Sequence, residues 1–187
     1  MNDKLIETGL IGGPEKRDIT IVDYNPTWVV EFQKHAKIIA DALGNTALQI
    51  EHIGSTAVPG LAAKPIIDIL VVVPDSSDES TYLPQLEKVG YELRVREPGF
   101  HEHRMMRTRE KGVHIHIYSP GSKEVERYLL FRNELRKDPE ARKDYEAAKR
   151  ELAERDWSDT NAYAEAKTKV VESIIESARA NGTNKSQ

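Results

Sequence analysis

The apolar run from Pro65 to Val73, PIIDILVVV, constrains the fold of this chain more than any other stretch. It is rich in β-branched residues and lacks the polar alternation of a half-solvated strand, which is typical of a central strand covered on both faces. The run is too short to span a bilayer, and it contains one acidic residue, Asp68. Because an unpaired buried charge is costly, this carboxylate needs a partner.

Asp68 has two interpretations. Strand alternation puts Asp68 on one face with Ile66 and Leu70, while the residues between them occupy the other face. In the first interpretation Asp68 meets an arginine or caps a helix end. In the second it belongs to a functional site, which we favour because carboxylates are rarely buried without a specific partner.

The histidines form a second cluster of interest, with His114 and His116 two residues apart in VHIHIY. On a strand both imidazoles project from the same face, so together with Asp68 they predict a two-histidine, one-carboxylate metal site. A pair of surface histidines on the wet face of a hairpin fits the same pattern equally well. His101 and His103 repeat the spacing on the preceding strand, and their roles, like that of His52, stay open.

The remaining patterns predict an α+β fold, in which a mixed β-sheet with flanking helices is followed by a helical C-terminal third. We expect one domain over residues 19–180, a lead-in over 1–18 and a polar tail over 181–187. The predicted strands are 19–22, 48–53, 65–73, 91–96, 101–108 and 113–118. The predicted helices begin at Pro26 and Ser77, and the helical third covers 122–155 and 157–180.

Composition excludes several classes of function. The chain has 187 residues, of which 39% are hydrophobic and 31% charged, and its net charge of −4 excludes a globally basic nucleic-acid binder. There is no cysteine, which excludes disulfides, thiolate metal sites and a cysteine nucleophile. We expect a cytoplasmic protein with no secretory signal and no membrane partner. The oligomeric state is left open.

Phosphate-binding residues are harder to recognise. Gly54-Ser55 follows a predicted strand, and backbone donors in such a turn suit a phosphate group, although two residues alone more often mark a plain turn. Arg132 and Arg136 lie one helical turn apart, and Lys149 follows. Their acidic neighbours also suit an ordinary solvated helix.

These residues together resemble a known family. The stretch IEHIGSTAVPGLAAKPIIDILV is similar to the hallmark of the GrpB family, which has a nucleotidyltransferase-like fold. The blocks VDYNPTWVVEFQ, VHIHIY, FRNELRKDPEARKDYEAAKRELAE and AYAEAKTKVV match in the same order and extend the resemblance over residues 22–178. GrpB-like segments also occur fused to dephospho-coenzyme A kinase in some bacteria.

The resemblance implies a specific site and a departure from it. The wider nucleotidyltransferase pattern has a Gly-Ser turn and three carboxylates, which bind two magnesium ions around a nucleoside triphosphate. Gly54-Ser55 matches the turn, and Asp68 matches the second carboxylate. Ile66 stands at the first carboxylate position, and His114 or His116 falls where the third would be.

The leading hypothesis is therefore a nucleotidyltransferase-like protein that binds a nucleotide or other phosphorylated small molecule. Asp68 is the candidate catalytic residue, and Asp68, His114 and His116 are the candidate ligands of a divalent metal of unassigned identity. The ligand-binding candidates are Gly54, Ser55, Lys64, Arg132 and Lys149. Two alternatives are a non-catalytic binding or accessory module and a metal-dependent hydrolase that uses Asp68 with His114 and His116.

Overall fold

A computed structural model describes residues 9–16, 18–157 and 159–183. The strands are β1 (Gln49–Ile53), β2 (Ile67–Val72), β3 (Tyr91–Glu97), β4 (His103–Thr108) and β5 (Val113–Tyr118). The helices are α1 (Thr27–Leu43), α2 (Leu83–Lys88), α3 (Lys123–Lys137), α4 (Pro139–Ala153), α5 (Thr160–Ala166) and α6 (Thr168–Thr183). These elements confirm the predicted α+β class, a mixed sheet followed by a helical C-terminal third.

The strands form one sheet in the spatial order β1-β2-β5-β4-β3. Strand β2 lies between β1 and β5, so it is an internal strand, as its continuous apolar sequence predicts. The pair β2–β5 is parallel, and the other three pairs are antiparallel. In the parallel pair Asp68 lies opposite His114, and Leu70 lies opposite His116. This register places the carboxylate and both imidazoles on neighbouring strands.

Helices cover both faces of the sheet. On one face α1 and α2 pack over a core from β2 and β5 that contains Ile67, Ile69, Val71, Val113, Ile115 and Ile117, all of them buried. On the other face α3, α4 and α6 contribute buried residues such as Phe131, Tyr145 and Ile175. Among the described residues, no helix is long and apolar enough to cross a membrane.

Some predicted elements form differently. Residues 19–22 make no strand: Val22 forms a single antiparallel bridge with Ala63, through a pair of backbone hydrogen bonds of 3.0 and 2.9 Å. The predicted helix from Ser77 is helical only over Leu83–Lys88, apart from one 3₁₀ turn at Glu79–Thr81. Asp75 accepts hydrogen bonds from the backbone and hydroxyl of Ser77, and such local bonds compete with helix formation.

The helical third consists of shorter helices than the apolar pattern suggests. Asp138 ends α3 and caps α4, because its carboxylate accepts from the backbone of Glu140 and Ala141 at 2.9 and 3.2 Å. Pro139 stands at the first position of α4, where its missing N–H costs nothing. Near the end of the chain α6 continues to Thr183, into the predicted tail, and residues 184–187 lie outside the described residues.

The lead-in lies along the outer strand of the sheet. Leu10 forms an antiparallel bridge with Val95, and Glu15 accepts hydrogen bonds from Arg107 and Lys111. Only residues 9–16 and 18 of the predicted lead-in are described. This described part of the lead-in pairs with the outer edge of the sheet.

Candidate functional site

A cavity of about 440 Å³ lies between the sheet and the C-terminal helices. Residues from β1, β2, β5 and the helical third meet in its wall, although they are far apart in the sequence. The polar residues in the wall include Gly54, Ser55, Lys64, Asp68, His114, His116, Arg127, Lys149 and Lys167. The aromatic residues are Tyr128, Phe131, Tyr145 and Tyr163.

Asp68, His114 and His116 form a compact triad in this wall. Asp68 Oδ1 lies 3.5 Å from His114 Nδ1 and 3.5 Å from His116 Nε2. One ligand atom from each residue lies within 4.8 Å of the others, close enough for all three to bind one ion. Burial acts to raise the pKa of Asp68, but contacts with the two imidazoles outweigh it and hold the pKa well below its usual range.

Gly54 brings the turn after β1 against this triad. Its φ of +71° is a backbone conformation that residues with a side chain rarely adopt. A Cβ at position 54 would lie 2.7 Å from Asp68 Oδ2, which is closer than a real contact allows. Glycine therefore serves both the turn and the close approach to the carboxylate.

Lys149 ties helix α4 to the same turn. It is 2% exposed, and its Nζ donates to Ser55 Oγ at 3.1 Å and also to the backbone carbonyl of Ala62. The ammonium lies 4.8 Å from the centre of the Tyr145 ring, which adds a cation–π contact. Burial, with repulsion from Lys167, lowers the pKa of Lys149 to about 7.

Lys167 is a cavity residue that the sequence reasoning missed. Its Nζ lies 4.7 Å from the centre of the Tyr163 ring, and Lys64 Nζ lies 5.4 Å from the same ring. Burial lowers the pKa of Lys167, although Asp68 acts in the opposite direction. The signal in the sequence was the spacing of Tyr163 and Lys167, four residues apart and thus on one side of a helix.

Arg132 does not join the other predicted ligand-binding residues. Its guanidinium donates to Glu51 at 2.7 Å and to the backbone carbonyl of His52 at 2.9 Å, and it is absent from the cavity wall. Arg136 donates to the carbonyl of Ala57 at 2.9 Å. Both arginines therefore hold the β1 turn in place from outside.

His52 belongs to the opposite face of the sheet. Its ring is parallel to that of Phe32 at 4.6 Å, and its Nε2 lies 3.1 Å from the hydroxyl of Thr56, which donates to the carbonyl of Ile66. That hydroxyl must then accept from Nε2–H of His52. Burial lowers the pKa of His52 to about 4, which favours the neutral ring.

His101 and His103, which share one spacing pattern in the sequence, differ in the structure. His101 is exposed, lies outside β4 and has a positive φ of 53°. His103 is buried in β4, with its Nδ1 2.7 Å from Glu97 Oε2 and its Nε2 3.2 Å from His116 Nδ1. Burial lowers the pKa of His103, while Glu97 acts to raise it.

The triad does not suit the pair of magnesium ions that the fold implies. Magnesium prefers six oxygen ligands, whereas this cluster offers one carboxylate and two imidazole nitrogens. Ile66 lines the cavity at the position of the implied first carboxylate and has no ligand atom there. The donor set fits a single transition-metal ion instead.

Comparisons with known proteins agree with the fold and extend it to a family. A UPF0157 protein of Halalkalibacterium halodurans is 49% identical over 170 residues, which cover 91% of this chain and 86% of that protein. A crystal structure of the conserved protein GrpB from Enterococcus faecalis matches with a TM-score of 0.76 and 35% identity, over 85% of this chain and 96% of that one.

More distant matches concern fold and chain architecture. Cid1 in complex with its short product ApU matches with a TM-score of 0.52 and 14% identity, over 72% of this chain and 43% of that one, which shows the nucleotidyltransferase-like fold. A dephospho-CoA kinase of Mycolicibacterium paratuberculosis is 29% identical over 80% of this chain and 43% of its own length, in line with the expected fusion. The family model described as GrpB protein matches residues 18–177, so this chain belongs to the GrpB family.

Proposed function

We propose that this protein binds a nucleotide or another phosphorylated small molecule in the cavity, beside a divalent metal held by Asp68, His114 and His116. One observation carries the proposal: a potential metal triad and a set of lysines face the same cavity. A metal ion and ammonium groups around one space are what a phosphate group requires for charge balance.

The charges in the cavity wall favour an anionic ligand. Lys149 and Lys167 contact neutral groups, namely the hydroxyl of Ser55, the carbonyl of Ala62 and two tyrosine rings, and among the described residues of the wall Asp68 is the carboxylate. Another cation of the wall, Arg127, is already paired with Glu124 on its own helix and with Glu172 on α6. The lysines therefore exceed the acid that faces them, and a phosphate group would restore the balance.

Lys149 supports the same conclusion. Burial keeps Lys149, whose pKa is about 7, at the edge of losing its charge, and this costs folding stability at neutral pH. An anion next to Lys149 and the Ser55 turn would favour the charged form. Perturbed lysines of this kind are concentrated at functional sites.

The shape of the cavity suits a ligand with an apolar ring. Its volume of about 440 Å³ falls within the usual range for small-molecule sites. Tyr128, Phe131 and Tyr145 provide aromatic wall next to the polar triad, which a nucleobase could contact. Cid1, which shares the fold, has been described with MgGTP bound, and this also supports a nucleotide ligand.

Thermal unfolding with a ligand panel tests this proposal. The panel contains the four nucleoside triphosphates, a sugar phosphate, inorganic phosphate and unphosphorylated adenosine, each with and without zinc, manganese or magnesium. At a hundredfold excess over Kd, a bound ligand should stabilise the protein by about 2.7 kcal/mol. We expect phosphorylated compounds to raise Tm and adenosine to have no effect. If no phosphorylated compound raises Tm under any metal condition, the proposal is wrong.

Two lysine variants make the test specific. Lys167→Met should remove most of the ligand-induced rise in Tm, because it deletes a cavity cation. The matched control is Lys37→Met on α1, which removes an exposed lysine that pairs with nearby Asp41. If both variants lose the same share of the ligand-induced rise in Tm, the ligand is attracted by the net charge of the protein and is not held by the cavity.

Turnover separates an enzyme from a binding module, a choice that the fold alone leaves open. Phosphorus NMR of each stabilising ligand reports released phosphate or pyrophosphate. Turnover that is lost in Asp68→Asn would support an enzyme, whether transferase or hydrolase. Binding without turnover would support the non-catalytic module. The cytoplasmic location expected from the cysteine-free sequence stays a prediction.

A further inference from the structure

A hydrogen-bonded chain behind the triad connects it to the far end of the β3–β4 hairpin. Glu97 ends β3 and lies directly opposite His103 at the start of β4. Glu97 Oε2 is 2.7 Å from His103 Nδ1, and His103 Nε2 is 3.2 Å from His116 Nδ1. The other nitrogen of His116, Nε2, is the one that faces Asp68.

We infer that Glu97 and His103 are positioning residues of a single transition-metal site, in which His103 accepts the Nδ1 proton of His116 and leaves His116 Nε2 free to bind the ion. The inference rests on the proposed function, because it requires that Asp68, His114 and His116 bind a metal. It adds the class of the ion and two residues outside the triad. Carboxylate–histidine contacts of this kind orient ligands and raise their basicity.

The carboxylate of Glu97 sets the direction of the chain. An ionised carboxylate only accepts, so the Nδ1 of His103 must carry the proton that lies between them. The Nε2 of a neutral His103 is then an acceptor, and His116 must donate to it from Nδ1.

Packing holds the two rings in one plane. The rings of His103 and His116 are 7° from parallel with centres 5.4 Å apart, and with an N···N contact of 3.2 Å they meet edge to edge and not face to face. The buried ring of Tyr118 lies parallel to His103 at 4.8 Å and supports its face. The packing of Tyr118 therefore holds His103 in the orientation that this hydrogen bond requires.

The hairpin loop carries backbone strain at the same place. His101 and Glu102, immediately before His103, have consecutive positive φ angles of 53° and 52°. Non-glycine residues adopt this conformation at a cost, and such strain is concentrated near functional sites. Here the strained turn brings Glu97 and His103 into line with His116.

Metal affinity measured by competition with a chromophoric chelator tests the inference, on protein prepared without an affinity tag. The wild type should bind zinc and cobalt far more tightly than magnesium. His103→Phe keeps an aromatic ring on Tyr118 but removes both nitrogens, and it should weaken zinc binding by about 10- to 100-fold. Glu97→Gln keeps an acceptor and loses only the charge, so its effect should be smaller but in the same direction.

The matched control is His101→Asn, which removes a histidine from the same loop with a residue that tolerates a positive φ. Its zinc affinity should equal that of the wild type. Thermal unfolding in chelator checks that each variant is folded. If His103→Phe fails to fold, Glu97→Gln alone decides, and unchanged zinc binding there would overturn the inference.

Nitrogen NMR of the histidine side chains gives a readout that packing alone would not change. In the zinc-loaded wild type we expect His116 to carry its proton on Nδ1, with the metal shifting the resonance of Nε2. A proton on His116 Nε2 in the zinc-loaded protein would overturn the inference. If the wild type binds zinc tightly and His103→Phe binds it equally well, the positioning roles of Glu97 and His103 are overturned, and the triad of Asp68, His114 and His116 stands as the metal site. A wild type that binds no transition metal would instead remove the metal site of the proposed function.

Discussion

The two faces of strands β2 and β5 differ in polarity beside the cavity, although they are built from alternate residues of the same two segments. On the α1 face Ile69 and Ile115 are fully buried among other apolar side chains. On the cavity face Asp68, His114 and His116 remain partly accessible, although Leu70 and Tyr118 on the same face are buried. The comparison teaches that one face packs into the apolar core, while the other also carries polar groups that line a cavity.

Neighbouring residues on β2 give the strongest test of this division. Ile69→Ala should lower the free energy of unfolding by about 2–5 kcal/mol, because it leaves a cavity in the core, and Ile69→Val by about 0.5–1.5 kcal/mol. Asp68→Asn, one residue away, should cost less than Ile69→Ala without metal, because the Asp68 side chain is partly exposed and the substitution leaves no apolar cavity. Urea unfolding in chelator measures all three. Equal costs for Ile69→Ala and Asp68→Asn would make Asp68 a structural ion-pair residue.

Gly54 and Gly60 give a second test of the cavity face. Gly54→Ala should cost about 1–3 kcal/mol for its backbone conformation, with φ of 71° and ψ of −171°, and should also displace Asp68 and weaken metal binding. Gly60→Ala is matched, because Gly60 has a similar φ of +78° and an added Cβ would meet no atom within 4 Å. It should show the backbone cost alone, with metal affinity unchanged. A similar metal affinity in the two variants would contradict the close approach of Gly54 to Asp68.

The pH dependence of ligand binding tests the charge on the cavity side. The pKa of Lys149 in the free protein is about 7, so its cation is present below that pH and is lost above it. The affinity for a phosphorylated ligand should therefore fall by up to about tenfold per pH unit above 7, until the pKa of the bound state is reached. Lys149→Met should remove this contribution and flatten the profile. Identical slopes in both proteins would show that Lys149 does not face the ligand.

The smallest effect is expected at Tyr163. Its hydroxyl is buried and has no hydrogen-bond partner within the part of the chain that the structure describes. Tyr163→Phe should therefore leave Tm unchanged or slightly raised, because it removes a buried polar atom and keeps the ring between Lys64 and Lys167. If Tyr163→Phe lowers the free energy of unfolding by more than about 1 kcal/mol, the Tyr163 hydroxyl makes a hydrogen bond of about that strength.

The sequence was sufficient where a single strand carries the information. Alternation by two placed Asp68, His114 and His116 on the face opposite the apolar core, and the continuous run of β2 indicated an internal strand. It was insufficient for residues 19–22, because a β-branched stretch becomes a strand only if another strand lies beside it along its length. Within the described part of the chain, Val22 forms a single bridge, to Ala63.

The candidate site was predicted only in part for a related reason. Lys149, a predicted ligand-binding residue, reaches the cavity from α4. Lys167 at the α5–α6 junction was missed, because its spacing with Tyr163 indicates one side of a helix but not whether that side meets a distant sheet. The same limit applies to Arg132, which looks like Lys149 in the sequence but pairs with Glu51. His103 joined His116 only through the hairpin register, which the sequence left open.

Anomalous X-ray scattering from zinc-soaked crystals tests the central claim, that the cavity face of β2 and β5 is a metal and ligand site. The account predicts one peak at the zinc edge, about 2.0–2.2 Å from Asp68 Oδ1, His114 Nδ1 and His116 Nε2. His103 should stay hydrogen-bonded to His116 and outside the coordination sphere. An empty triad with zinc bound elsewhere, or no peak at all, would contradict the account.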